Sequence, residues 1–475
     1  MSIVAAFIVP HPPMIVPEVG KGDEKRVEKT TESYETVARR IAEIAPDTII
    51  ISSPHAPMYA DYFNISYGPV GKGSFGDFRA PEVSFKEDYD REFVASLEEK
   101  LRKAGFPGGT LGVQDGRLDH GTMVPLYFIR KYYDGGRIVR IGLSGLDLTK
   151  HYELGKAVSS IADSLGRKCV YVASGDLSHK LQSYGPYGFA PEGPEYDERI
   201  MDVCGRGAFG ELFDFDETFC EKAAECGHRS FVMMAGALDG KALDIKKLSH
   251  EDVTGVGYGI CTFEVTGDDS SRKFLEKHLG ALRDKLVSDR AKADAYVRLA
   301  LASVSHFVKN GQALKLSSYE GEIPSAMLDT KAGAFVSIHE HGKLRGCIGT
   351  ILPCEANVAE EIIRNGISAA TADPRFEPIE ESELPWLEIN VDVLSTPEKI
   401  SSPDELDVKK YGVIVTRGGR RGLLLPDLDG VDTVERQIAI AKSKAGIAPD
   451  EEVELHRFSV TRHYLGLAEA VGWVP

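Results

Sequence analysis

The feature that most constrains this chain is the alternation, through its first half, of short β-branched runs with longer amphipathic ones. The runs at 3–9, 48–51, 137–143 and 168–173 are rich in Val and Ile and bounded by Gly, Pro or polar turns. Runs of that length and composition read as strands buried on both faces. Between them, 24–44, 89–104, 148–165 and 229–238 carry helical periodicity. A chain that alternates in this way folds as an α/β domain, a central sheet flanked by helices. The segment 255–265 returns to strand character, where that domain would close.

A small polar stretch, Thr266-Gly267-Asp268-Asp269-Ser270-Ser271, reads as the join to a second domain. The expected domains are 1–266 and 272–475. Beyond the join, Leu275, Leu279, Leu282 and Leu286 share one stripe of an amphipathic helix, and 291–308 predicts another. The texture then becomes β-rich at 333–338, 346–351, 388–394, 412–416 and 422–425, with one more helix near 356–371. This second part is expected to be a smaller α+β domain. Two Gly-rich patterns are discounted: 255–259 lacks the strand-then-helix setting of a dinucleotide site, and Gly418-Gly419 fits a hairpin turn.

Composition excludes several functions. With 56 Lys+Arg against 73 Asp+Glu the net charge is −17, which opposes a broad electrostatic grip on nucleic acid or an anionic membrane. No apolar run approaches the roughly 20 residues that span a bilayer. The apolar start is broken by Pro10, Pro12, Pro13 and Pro17 and has no basic leading segment. Seven cysteines, an odd number without a CxxC pair, read as reduced thiols, so a soluble cytoplasmic protein is expected.

The histidines carry the chemistry. His11 follows the run at 3–9, His55 the run at 48–51, and His179 the run at 168–173. In an open α/β sheet the loops beyond the carboxyl ends of the strands surround the ligand crevice, so separate strands deliver imidazoles to one place. His120, in Asp119-His120-Gly121-Thr122, stands where a loop turns into a helix. Glu225-Cys226-Gly227-His228 enters the helix that follows. A lone histidine after a strand is more often structural than a ligand. A group of them with nearby carboxylates is the pattern of a transition-metal site. His151 and His250 lie within helix and strand texture and take the structural reading.

These motifs, Val9-Pro10-His11-Pro12-Pro13, Ser53-Pro54-His55, Asp119-His120-Gly121-Thr122 and Ser174-Gly175-Asp176-Leu177-Ser178-His179, resemble in their order the class III extradiol dioxygenases of LigB type and their relative Memo. The resemblance covers about residues 1–265 and implies a LigB/Memo-like α/β fold. It implies that His11 and His55 are metal ligands, that His179 is the acid/base histidine, tuned by Asp176, and that His120 meets substrate or oxygen. Asp119 and His228 are candidates for substrate contact. For the third ligand LigB-type enzymes use Glu and Memo uses Cys, and this chain has both. A carboxylate suits Fe(II) with open positions, whereas a thiolate favours zinc or copper. Glu225 with Fe(II) is the expectation, and Cys226 the alternative.

Residues from about 272 onward resemble the AMMECR domain through Leu344-Arg345-Gly346-Cys347-Ile348-Gly349-Thr350, Ala372-Asp373-Pro374-Arg375-Phe376, Val391–Ser395, Tyr411–Val415 and Arg421–Pro426. Both domains recur in a grouping called AmmeMemoRadiSam, which implies a radical SAM partner. Read from the residues, Cys347 is either a thiol presented in a cleft, with Arg345 favouring its thiolate, or a buried core cysteine. Asp373, Arg375 and Arg345 form either a polar pocket or a structural ion pair. The leading expectation is an oxidoreductase that opens a small catechol-like aromatic, with an AMMECR domain that binds substrate or partner. The alternative is a Memo-like redox or modification-pathway protein that cleaves no catechol, and a homo-oligomer is compatible with either. A third class, a metal-free scaffold, would leave His11 and His55 unliganded.

Overall fold

The computed structural model describes residues 2–428 and 430–465, and the chain divides into two units after Leu279. The first unit is built in chain order from β1 (Ile3–Val9), α1 (Glu28–Ile44), β2 (Thr48–Ser53), β3 (Val70–Phe75), β4 (Ala80–Asp88), α2 (Arg91–Lys103), α3 (His120–Ile129), β5 (Arg137–Gly142), α4 (Leu148–Ser164), β6 (Cys169–Ser174), α5 (Glu192–Arg206), α6 (His228–Ala237), β7 (Lys241–Glu251) and β8 (Tyr258–Asp268). Its main sheet has the order β5-β2-β6-β1-β8-β7. The first four strands are parallel, and β8 and β7 add an antiparallel edge. The sheet is therefore mixed.

Strand periodicity divides the core. Ala6, Ile8, Ile50, Tyr171 and Ala173 face one side of the sheet, with Phe231 of α6 and Val158 of α4. Phe7, Val9, Ile49, Ile51 and Val172 face the other, with Val37 of α1 and Val124 of α3. Both faces are covered by helices, which is why these strands read as unbroken apolar runs and not as alternation. Helices α4 and α6 meet through glycines: a Cβ on Gly155 would lie 1.9 Å from the Met233 carbonyl, and one on Gly236 2.0 Å from that of Tyr152.

The register sets the site. Val9 of β1 lies opposite Ser174 of β6, and Ser52 of β2 opposite Ala173. Three adjacent parallel strands, β2-β6-β1, thus end side by side, and the loops carrying His55, Asp176 with His179, and His11 leave from one edge. Two stretches differ from the sequence expectation. The polar run 266–271 is the end of β8 followed by a 3-10 turn at Ser270–Arg272, with no free linker. The hairpin of β3 and β4 was not predicted, because Val70-Gly71-Lys72-Gly73-Ser74-Phe75 has neither strand alternation nor helical period.

A helix, α7 (Phe274–Lys292), carries the chain into the second unit. Only Leu275 of the expected leucine stripe is fully buried. The second unit contains α8 (Ala295–Asn310), β9 (Ala334–Glu340), β10 (Lys343–Gly349), α9 (Val358–Thr371), β11 (Leu387–Leu394), β12 (Glu398–Ile400), β13 (Gly412–Arg417), β14 (Arg420–Leu424), α10 (Val434–Lys444), β15 (Glu454–Phe458) and β16 (Val460–His463). They form two antiparallel sheets, β10-β9-β11-β16 and β12-β15-β13-β14. Helices α8 and α9 close the core of the first over Val336, Ile338 and Ile389. Arg417 pairs with Arg420 across Gly418-Gly419, the hairpin turn read from the sequence, and Gly418 adopts φ +57. Among the described residues no helix is long and apolar enough to cross a membrane, and none of the seven cysteines is paired.

Candidate metal centre

His11, almost fully buried, is held at its backbone and at one ring nitrogen. Its backbone N–H donates to Asp176 Oδ1 at 2.7 Å, and its Nδ1 lies 2.9 Å from Ser174 Oγ. The Ser174 hydroxyl donates to the Gly121 carbonyl at 2.6 Å, so its oxygen is left to accept the proton on Nδ1. That arrangement leaves the lone pair on Nε2, the state a metal ligand needs, and it is the kind of second hydrogen bond that orients ligating imidazoles. His11 Nε2 lies 3.0 Å from His55 Nε2 and 3.6 Å from Cys226 Sγ.

These separations are the test of fit. Nitrogen and sulfur ligands at about 2.0–2.3 Å around one tetrahedral ion stand roughly 3.3–3.7 Å apart. His11, His55 and Cys226 offer atoms that all lie within 4.8 Å of one another. Burial holds the His11 imidazole well below its ordinary pKa, with His55 adding to the effect, and holds the Cys226 thiol well above its own, with Asp176 and Glu225 adding to that. Neutral imidazole beside a thiol that only a cation would deprotonate is a donor set that fits a transition metal.

Asp176 and His179 flank this trio. Asp176 Oδ2 lies 3.9 Å from His11 Nε2 and 3.8 Å from His179 Nε2, and the Asp176 N–H donates to Cys226 Sγ at 3.3 Å. The His179 backbone N–H donates to the Ala223 carbonyl, and its ring stacks on Tyr187 with centroids 5.0 Å apart. Its Nε2 is buried with no hydrogen-bond partner. Burial raises the Asp176 carboxyl and lowers the His179 imidazole, Asp176 opposing the latter.

Two of the residues read from the sequence are placed elsewhere. Glu225 does not join the trio: its Oε2 accepts the His228 N–H at 2.6 Å, at the first residue of α6. A carboxylate is favoured there by the unpaired N–H groups of the helix end, and burial pushes its pKa up to about 7. Cys226 therefore takes the position expected of Glu225. His228 is buried in the core, its Nε2 on the Leu212 carbonyl at 3.0 Å and its Nδ1 3.3 Å from the Tyr196 hydroxyl, so it offers no ring nitrogen to a substrate. His151 and His250 keep the structural reading, on the Asp147 carbonyl and on Asp197.

Asp119 is the N-cap of α3. Its Oδ1 accepts from Thr122 N and from the Ser53 hydroxyl, and its Oδ2 from Thr122 Oγ1 and, at 3.3 Å, from Arg140. Both oxygens are engaged, so its part is to set the first turn that presents His120. The His120 ring lies 4.0 Å from that of His55 and 5.4 Å from those of His11 and Phe78. Burial and the two neighbouring histidines lower its pKa to about 3, leaving it neutral. His55 and His120 stand at the wall of a cavity of about 910 Å³ that Phe78, Phe85, Lys72 and Arg117 also line. Sequence reasoning missed this hairpin wall, as it missed Ser174. A serine ending a buried strand beside the first histidine was the available signal for the latter.

In the second unit, Arg345 is spent on Glu383 and on the carbonyls of Glu377 and Pro378. Asp373 accepts from the Cys347 N–H at 2.9 Å and from the Arg375 guanidinium at 2.8 and 3.0 Å. These are structural ion pairs, the second of the two alternatives read from the sequence. Cys347 lies 3.2 Å from Ser337 Oγ, and burial raises its thiol, against the thiolate idea.

Residues 5–261 match the family described as the catalytic LigB subunit of aromatic ring-opening dioxygenase, and residues 297–463 match AMMECR1. A protein of Clostridium acetobutylicum is 42% identical over 476 residues, which span 98% of this chain and 99% of that one. A Thermotoga maritima protein is 50% identical over 170 residues, 35% of this chain and 96% of its own length. Among solved structures, an uncharacterized protein of Pyrococcus horikoshii shares 29% identity over 36% of this chain and 92% of its own, with a TM-score of 0.33. One of Escherichia coli K12 shares 14% over 55% and 99%, with a TM-score of 0.37.

Proposed function

We propose that this chain, which belongs to the family of the catalytic LigB subunit of aromatic ring-opening dioxygenases and carries an AMMECR1 domain behind it, is a metal-dependent enzyme acting on a small molecule. The observation that carries the reading is the convergence of His11 Nε2, His55 Nε2 and Cys226 Sγ. These three residues would hold the ion. When bound, it supplies Lewis acidity and, if redox-active, a path for electrons.

The chain's own residues do the rest. Ser174 keeps the His11 lone pair facing the site. His120, neutral at physiological pH, accepts or donates one hydrogen bond to a substrate in the cavity and carries no charge of its own. His179 Nε2, which makes no hydrogen bond, is free to take or return a proton, and Asp176 beside it favours the imidazolium that results. Phe78 and Phe85 give the cavity the flat apolar walls that suit an aromatic ring.

A sulfur donor favours copper or zinc over Fe(II) and so supports chemistry without ring opening, in which the protein works in a modification pathway beside a radical SAM partner. Family membership supports the other reading, Fe(II)-dependent opening of a catechol-like aromatic. One experiment separates them. The protein is purified anaerobically, its metal identified, and sulfur ligation read by X-ray absorption; catechols and dioxygen are then added. Copper or zinc on sulfur, with no oxygen uptake, is the expected result. Stoichiometric iron with oxygen uptake and a coloured ring-opened product would establish the second reading. A protein that binds none of these metals would end both.

A further inference from the structure

We propose a second cation position in this unit, formed by Asp176 Oδ2, His179 Nε2 and Cys226 Sγ, so that the sulfur bridges a two-metal centre. The proposal rests on the reading that His11, His55 and Cys226 hold an ion. Asp176, His179 and Cys226 form a second group whose ligand atoms all lie within 4.8 Å of one another, and the two groups share only the sulfur.

Two donors of this second group, Asp176 Oδ2 and His179 Nε2, make no hydrogen bond. Asp176 Oδ1 is used by the His11 N–H at 2.7 Å, whereas Oδ2 stands at 3.8 and 3.9 Å from two imidazoles. His179 Nε2 is buried without a hydrogen-bond partner, although its ring is fixed by the stack on Tyr187 and its backbone by the Ala223 carbonyl. Cys226 Sγ faces both groups, 3.6 Å from His11 Nε2 on one side, and receives the Asp176 N–H on the other. A thiolate has lone pairs enough for two ions, and two-metal sites hold their ions about 3.5–4 Å apart, a spacing that one bridging sulfur allows.

The donors select the ligand class. One carboxylate, one imidazole and one shared thiolate suit a borderline divalent ion such as zinc, with cobalt as its spectroscopic substitute. The two roles of His179 exclude each other: while its Nε2 holds the second ion it carries no proton. Filling the second position would therefore switch off the proton step, and free metal concentration would set the balance.

Titration of the metal-free full-length protein with cobalt(II) tests this. The wild type is expected to bind two equivalents, the sulfur-to-cobalt charge-transfer band rising with the first and changing shape with the second. His179→Ala and, as a milder variant, His179→Gln should each bind one equivalent and keep the band. One equivalent in the wild type, with unaltered binding in both variants, would overturn the second position and leave the first intact. No cobalt bound by the wild type would overturn the first position as well.

Discussion

At the scale of residues, the centre depends on which atom of each side chain is left free. Ser174 illustrates it: by giving its own proton to the Gly121 carbonyl it accepts the one on His11 Nδ1 and leaves Nε2 open. Ser174→Ala should therefore weaken metal binding about 10–100-fold while leaving the ligands in place, as competition with a chromophoric chelator would measure. Glu225 and Cys226 are a second case. With its carboxylate on the His228 N–H, Glu225→Gln should retain the metal and its sulfur charge-transfer band, and cost about 0.5–2 kcal/mol of stability in denaturant unfolding. A metal-free Glu225→Gln protein would return the third position to the carboxylate. Neither outcome was legible in the sequence, because Glu225 and Cys226 are neighbours and only the start of α6 decides which one turns inward.

At the scale of elements, the ends of β1, β2 and β6 are what the sequence made most legible. Three short apolar runs, each followed closely by a histidine or by Asp176 and His179, lie in adjacent parallel strands, so their loops share one edge. The hairpin of β3 and β4 was illegible because Gly71 and Gly73 stand on the face of β3 that meets Leu118 and Met123, so a face that Phe75 and Ala80 bury against the core carries no run of apolar side chains. In the second unit Asp373 ties the loop after α9 to β10 through the Cys347 N–H. The Arg375 guanidinium, with the Cys347 and Arg375 N–H groups, holds its carboxyl below the usual carboxylate range. A carboxyl lowered on folding stabilises above its unfolded value, near pH 3.9, and loses that contribution as pH falls toward the folded one. Asp373→Asn should therefore cost about 1 kcal/mol at neutral pH and flatten the acid limb of the stability curve below about pH 4. An unchanged acid limb would mean that the carboxylate contributes nothing there.

At the scale of the whole molecule, the two units have separate cores, and the proposed ion belongs to one of them. Ligand that binds only the folded state stabilises by about 2.7 kcal/mol at a concentration 100 times its dissociation constant. Chelation should lower the calorimetric transition of the first unit by roughly 5–10 °C and leave that of the second unchanged. A shift of both, or of neither, would contradict the placement of the ion. The sequence by itself determined the division into an α/β unit and a β-rich one, five of the six strands of the main sheet, all but β7, and the position of His11, His55 and His179 at its carboxyl edge. These are legible because periodicity and strand-end position are local properties of the chain. Only the tertiary structure decided that the Cys226 sulfur and not the Glu225 carboxylate stands beside His11 and His55, that His228, Arg345 and Asp373 are spent on structural contacts, and which nitrogen of His11 is free. Each of those depends on a hydrogen bond to a group brought near by packing, and no local pattern encodes which partner packing will supply.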